Sequence, residues 1–73
     1  MPKVRINRIK LVLTEQGKTN RELARELSKA ESTVSRWCTN DAQPSLEMLH
    51  EIATKLNVDI RELLTPTIKH LEK

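Results

Sequence analysis

The stretch Glu31-Ser32-Thr33-Val34-Ser35-Arg36-Trp37-Cys38-Thr39 gathers the side chains best suited to meet a partner. On a helical wheel of about 100° per residue with Val34 at zero, Trp37 falls near about 300° and Cys38 near about 40°, an arc suited to a protein core. The opposite arc holds Ser35, Thr39, Ser32 and Arg36, at about 100°, 140°, 160° and 200°. That face carries little bulk, several hydroxyl donors and acceptors, and one long cation. Such a face can enter a groove about 12 Å wide and hydrogen-bond to base edges, Arg to guanine being the commonest specific pairing. The same residues also suit an ordinary solvated helix surface, and the wheel alone leaves both readings open.

No rival chemistry is visible elsewhere. Cys38, His50 and His70 lack a metal-ligand spacing, and there is no nucleophile with a nearby base, no acid/base pair and no phosphate-cradling glycine loop. The expectation is a protein that is not an enzyme and needs neither metal nor cofactor. A single cysteine excludes a disulfide framework and points to a reducing compartment. With neither a secretory signal nor an apolar run of membrane-spanning length, a cytoplasmic protein without a membrane partner is expected.

Charge favours a polyanionic partner. The net charge is +3, from thirteen Lys and Arg against ten Asp and Glu. It is unevenly spread: residues 1–30 hold eight cations against three anions, a balance of +5, and residues 31–73 hold five against seven, a balance of −2. A polyanion gripped by the N-terminal half fits this asymmetry.

The elements that must position the face read as helix nearly throughout, which makes the chain all-α. The first helix is expected from about Arg5 to Gln16, burying Ile9, Val12 and Leu13 with help from Ile6, and ending at Gly17, the single glycine. Thr19-Asn20-Arg21-Glu22 has the pattern of a capping box, and the stripe Leu23, Ala24, Leu27 follows it. Periodicity breaks over Ser28-Lys29-Ala30 and resumes with Val34 and Trp37, giving helix, short break, helix between Thr19 and about Thr39. A polar loop, Asn40 to Pro44, precedes a fourth helix from about Ser45 to Leu56, with Leu46, Leu49, Ile52, Ala53 and Leu56 on one side. Asp59-Ile60-Arg61-Glu62 suggests a second capping box, opening a short fifth helix with Leu63 and Leu64 that Thr65-Pro66-Thr67 ends. Trp37, one turn from Val34, reads as core. Residues 1–66 are expected to form one domain, and residues 67–73 a loose or partner-dependent tail.

At this level the chain resembles the phage-repressor-like helix-turn-helix proteins of the Cro, lambda-repressor and XRE type. Thr19 to Leu27 looks like the family's second helix, Ser32 to Trp37 like its recognition helix, and Pro44 to Leu49 like the start of its fourth. The resemblance covers about residues 5–64. It implies a compact five-helix lambda-repressor-like domain that binds double-stranded DNA sequence-specifically, usually as a dimer regulating transcription. It implies base contacts from Glu31, Ser32, Ser35 and Arg36, and phosphate contacts from Thr19, Asn20 and Arg21 at the start of the second helix. Lys18, Thr33, Thr39, Asn40 and Gln43 are further phosphate candidates, and Thr19 has a competing role as the helix cap. The chain departs from the family pattern at Ser28, where Gly is common, and at Lys29 and Ala30, so a slightly altered turn is expected. Glu31 stands where the family often has Gln; its carboxylate either accepts from cytosine N4 or is held off the DNA.

Within this reading the working species is a two-fold homodimer on a pseudo-palindromic operator, formed in solution or only on DNA. Its interface is expected after the fourth helix, among Val58, Ile60, Leu63, Leu64, Ile68 and Leu71, some of which must instead complete the core. Two other readings stand beside a repressor-like regulator: an antitoxin that also binds a toxin protein, and a protein-interaction module that has lost DNA binding.

Overall fold

Every helix in this chain starts and stops where its own residues satisfy the backbone, and the exceptions fall around the turn. The computed structural model describes residues 4–68. It contains helices α1 (Ile9–Gln16), α2 (Asn20–Leu27), α3 (Glu31–Cys38) and α4 (Leu46–Leu56), followed by a 3-10 turn, Ile60–Leu63. The fold is all-helical, with four α-helices where five helices were expected.

α1 starts later than the apolar spacing suggests. Asn7 Oδ1 accepts from the Ile9 backbone N–H at 3.1 Å, an Asx turn just ahead of the helix, whose N-cap residue Arg8 supplies no side-chain cap bond. Ile6, expected to help the core, is 50 % exposed. At the other end Gly17 takes the left-handed conformation, φ 69°, and the Lys18 N–H donates to the Leu13 carbonyl at 2.9 Å.

α2 carries the capping box seen in the sequence: the Glu22 N–H donates to Thr19 Oγ1 at 3.1 Å and the Thr19 N–H to Glu22 Oε1 at 2.8 Å. Its C-terminal end is closed by Ser28 at φ 57° and ψ 42°, with the Lys29 N–H donating to the Ala24 carbonyl at 2.9 Å. Ser28 thus adopts the left-handed conformation that a glycine would take without a Cβ penalty. Ala30, extended at ψ 142°, precedes α3 and offers no side-chain cap. α4 is capped by Ser45, whose Oγ accepts from the Met48 N–H at 3.0 Å.

The fifth element is a 3-10 turn because the chain has no room for more. Asp59 Oδ1 accepts from the Arg61 N–H at 2.8 Å, two residues on and not three, which starts a tight turn. Leu64 then becomes extended, φ −115° and ψ 143°, to form an antiparallel bridge with Asn7, while Pro66 restricts Thr65. In that bridge the Arg8 N–H donates to the Leu63 carbonyl and the Thr65 N–H to the Ile6 carbonyl, each at 2.9 Å.

All the helices and the 3-10 turn feed one core, in which Ile9, Leu13, Leu23, Val34, Ile52 and Leu63 are fully shielded. Trp37 joins it at 7 % exposure, as its place on the wheel requires. Leu46, placed by periodicity on the core side of α4, is instead 77 % exposed at its first turn. Leu63 belongs to the core and the partly buried Val58 and Ile60 pack against it, so these three are the members of the set that complete the core. Leu64 and Ile68 stay accessible, whereas Leu71, His70 and most of the expected tail lie outside the described residues.

Since Ser28 bears a left-handed strain that glycine lacks, Ser28→Gly should raise stability by about 0.5–1 kcal/mol, net of glycine's larger entropy in the unfolded chain. In thermal melts followed by circular dichroism, this corresponds to a midpoint about 2–8 °C higher. Ser28→Val should melt below wild type. A glycine variant melting at or below wild type would show that the turn holds no such strain.

Candidate nucleic-acid interface

α2 and α3 pack through one apolar seam. α2 contributes Leu23, Ala24 and Leu27, and α3 contributes Val34, Trp37 and Cys38, all buried. With that side of α3 committed to the core, the opposite side faces solvent: Glu31, Ser32, Arg36 and Thr39 are exposed, Thr33 and Ser35 half-buried. The Arg36 guanidinium makes no hydrogen bond or ion pair with a described side chain, so its donors are open to a ligand. Glu31 is different. Its carboxylate lies 3.5 Å from Arg21 Nε, joining the first turns of α2 and α3 across the helix-turn-helix.

The start of α2 sits beside this face. The Thr19 hydroxyl oxygen is already an acceptor in the capping box, and Asn20 Oδ1 accepts from the Cys38 thiol at 3.3 Å, fastening the first residue of α2 to the last of α3. Burial pushes the Cys38 thiol above its ordinary pKa, with the Lys10 ammonium pulling weakly the other way, so it stays a protonated donor to Asn20. Lys18, half-buried, places Nζ 3.4 Å from Glu26 Oε2. Thr39 Oγ1 lies 2.7 Å from Asp41 Oδ2 and 3.2 Å from the Arg36 carbonyl.

Two of the expected phosphate ligands have structural work of another kind. Asn40 is 6 % exposed and sits at φ 64° just past α3. Its Oδ1 accepts from the backbone N–H groups of Ile6 and Asn7 at 2.9 and 3.0 Å, and its Nδ2 donates to the Asn7 carbonyl at 3.1 Å. Gln43, exposed at its edge, accepts from Asn7 Nδ2 at 2.7 Å and donates to Asn40 Oδ1 at 3.1 Å. The buried Asn40 amide so engaged holds the chain together, while Gln43 keeps an exposed edge.

Asn7 is the residue that sequence reasoning passed over. It is 3 % exposed, and its Nδ2 also donates to the Trp37 carbonyl at 3.0 Å, tying the last turn of α3 to the N-terminal segment. Its bonds to Asn40, Trp37 and Gln43 span 30 or more residues and leave no local signal, and the helix expected from about Arg5 runs over it.

Among the described residues no group of three or more His, Cys, Asp or Glu is placed to hold a metal, and no helix is long and apolar enough to cross a membrane. The helix-turn-helix family model matches residues 9–63. The chain is also similar to a candidate DNA-binding protein from Bacteroides fragilis whose crystal structure aligns with a TM-score of 0.81. The two are 55 % identical, over 82 % of this chain and 97 % of that one. No curated protein matches the chain.

The Asn40 network separates into backbone and amide contributions that mutation can resolve. Asn40→Gly keeps the left-handed backbone but removes the acceptor of the buried Asn7 N–H and the part-buried Ile6 N–H, and should cost about 1–3 kcal/mol. Asn40→Ala adds left-handed strain and, net of glycine's larger entropy in the unfolded chain, should cost about 0.5–1 kcal/mol more. Urea titration of both variants measures this, and a glycine variant as stable as wild type would show that the amide is dispensable.

Proposed function

Because this chain belongs to the helix-turn-helix family of the XRE type, we propose that it binds double-stranded DNA as a small transcriptional regulator, reading the major groove with α3. The observation that carries this is the outward face of α3. Arg36 is exposed there, with a guanidinium that no described side chain engages, alongside the short hydroxyls of Ser32 and Ser35. A guanidinium reaching into the major groove pairs in bidentate fashion with guanine O6 and N7, and the serines donate or accept without filling the groove. The N-terminus of α2, with its free N–H groups, the positive end of the helix dipole and Arg21, serves as a phosphate seat. The 55 % identical candidate DNA-binding protein supports the same reading. Bound across an operator, such a protein represses by occupancy. No catalytic step is needed.

Arg36→Ala should weaken binding to a site selected from a random duplex pool by about 1–3 kcal/mol and relax the preference at one base position. Unchanged affinity and preference would remove Arg36 from the interface.

The working species is a homodimer on a pseudo-palindromic site. One module of this kind covers only about 600–1,000 Å² of protein surface on DNA, whereas two copies reading successive major grooves about 34 Å apart double the contacts. Val4, Ile6, Leu64 and Ile68 remain accessible for the contact between copies, at 73, 50, 37 and 45 % exposure. Two protomers should bind one selected site, with an inverted second half-site tightening binding. Sedimentation of the complex decides, and a single protomer with no gain from the second half-site would sink the dimer.

A further inference from the structure

The Arg21–Glu31 pair joins the first turn of α2 to the first turn of α3, and neither side chain has another polar partner among the described residues. Both side chains are open to solvent, 72 % and 54 % exposed, so the pair costs little to rearrange. The contact runs through Arg21 Nε, the inner nitrogen of the guanidinium, which leaves the Nη groups as donors to a phosphate. Glu31 is the first residue of α3, about 60° on the wheel from Val34 and next to Ser35, at the N-terminal edge of the outward arc.

We propose that Glu31 reads a cytosine in the major groove, and that Arg21 is the positioning residue that lets a carboxylate stand there. A bare carboxylate is repelled by the phosphates on either side of the groove. Clamped by a guanidinium that also donates to a phosphate, it enters as part of a neutral pair. A carboxylate only accepts hydrogen bonds, which narrows the bases it can read. Guanine and thymine offer acceptors in the major groove and repel it. Adenine offers its N6 donor beside the N7 acceptor, a pattern suited to an amide. Cytosine alone offers an amino donor with no acceptor of its own in that groove. Glu31 and Arg36 lie five residues apart along α3, about 7.5 Å of helix, so they address different base pairs.

This inference rests on α3 binding DNA as proposed above, and the test keeps the two apart. Sites are selected from a random duplex pool for the wild-type protein and for Glu31→Gln, Glu31→Ala and Arg21→Ala, and affinities are then measured on the wild-type site with single base changes. Arg21 and Glu31 are both exposed, and thermal melts check that each variant is folded. Wild type should prefer cytosine at one position by about five- to a hundredfold. Glu31→Gln should move that preference to adenine, and Glu31→Ala should abolish it, with the Arg36-dependent position unchanged in both. Arg21→Ala should weaken binding to every sequence, flatten the salt dependence by about one ion, and also reduce the cytosine preference. An arginine that served phosphate alone would leave that preference intact, which overturns the positioning role. Glu31 variants that bind all sequences more tightly with an unchanged site overturn base reading, because the carboxylate is then merely held off the DNA. A wild-type protein with no preference for any duplex overturns this inference together with the proposed function.

Discussion

One buried oxygen, Asn40 Oδ1, organises more of this chain than any other polar atom. It receives hydrogen bonds from the backbones of Ile6 and Asn7 and from Gln43, while Asn7 in turn binds the Trp37 carbonyl at the end of α3. Each of these backbone groups would be expensive to leave unpaired inside the protein. The segment before α1, the end of α3 and the loop into α4 are therefore locked to one another. The lock extends further through the bridge from Asn7 to Leu64, which anchors the 3-10 turn. The eight-residue α3 is thus held from both chain-terminal directions as well as by its apolar side.

α3 needs such support because it has little of its own. Isolated helices shorter than about 12–15 residues are marginal in water. Ala30 supplies no side-chain cap, and β-branched Thr33 and Val34 are not strong helix formers. α2 is the contrary case, with a complete capping box and a C-terminal turn that bonds its last carbonyls. The pair works as a stiff helix that carries a dependent one, joined by the Leu23, Ala24, Val34 and Trp37 seam, by Asn20 with Cys38, and by the Arg21–Glu31 ion pair.

What the sequence reveals is what depends on near neighbours. The capping box at Thr19 and Glu22, the left-handed Gly17, and the apolar stripes of α1, α2 and α4 are set by residues three or four apart, and all can be read from spacing. The outward face of α3 is equally legible, because it is what remains once Val34, Trp37 and Cys38 are turned inwards. The roles of Asn7 and Asn40 are not, since their partners lie 30 or more residues away and an amide looks the same at a surface as inside. The 3-10 turn was misread for the same reason: Leu64 leaves the helix to meet Asn7, which no local pattern announces. The exposure of Leu46 reflects its place at the first position of α4, where the apolar stripe outruns the core.

Trp37 is the chain's single indole, and there is no tyrosine or phenylalanine beside it. It is shielded in the core yet belongs to the same two-turn helix as Arg36. Its near-ultraviolet absorbance and emission therefore come from one site, free of energy transfer from other rings. A blue-shifted emission maximum signals that α3 is seated, and a red shift that water has reached the seam. The molecule carries its own optical gauge of how α3 is seated, with no label to attach and no second chromophore to subtract.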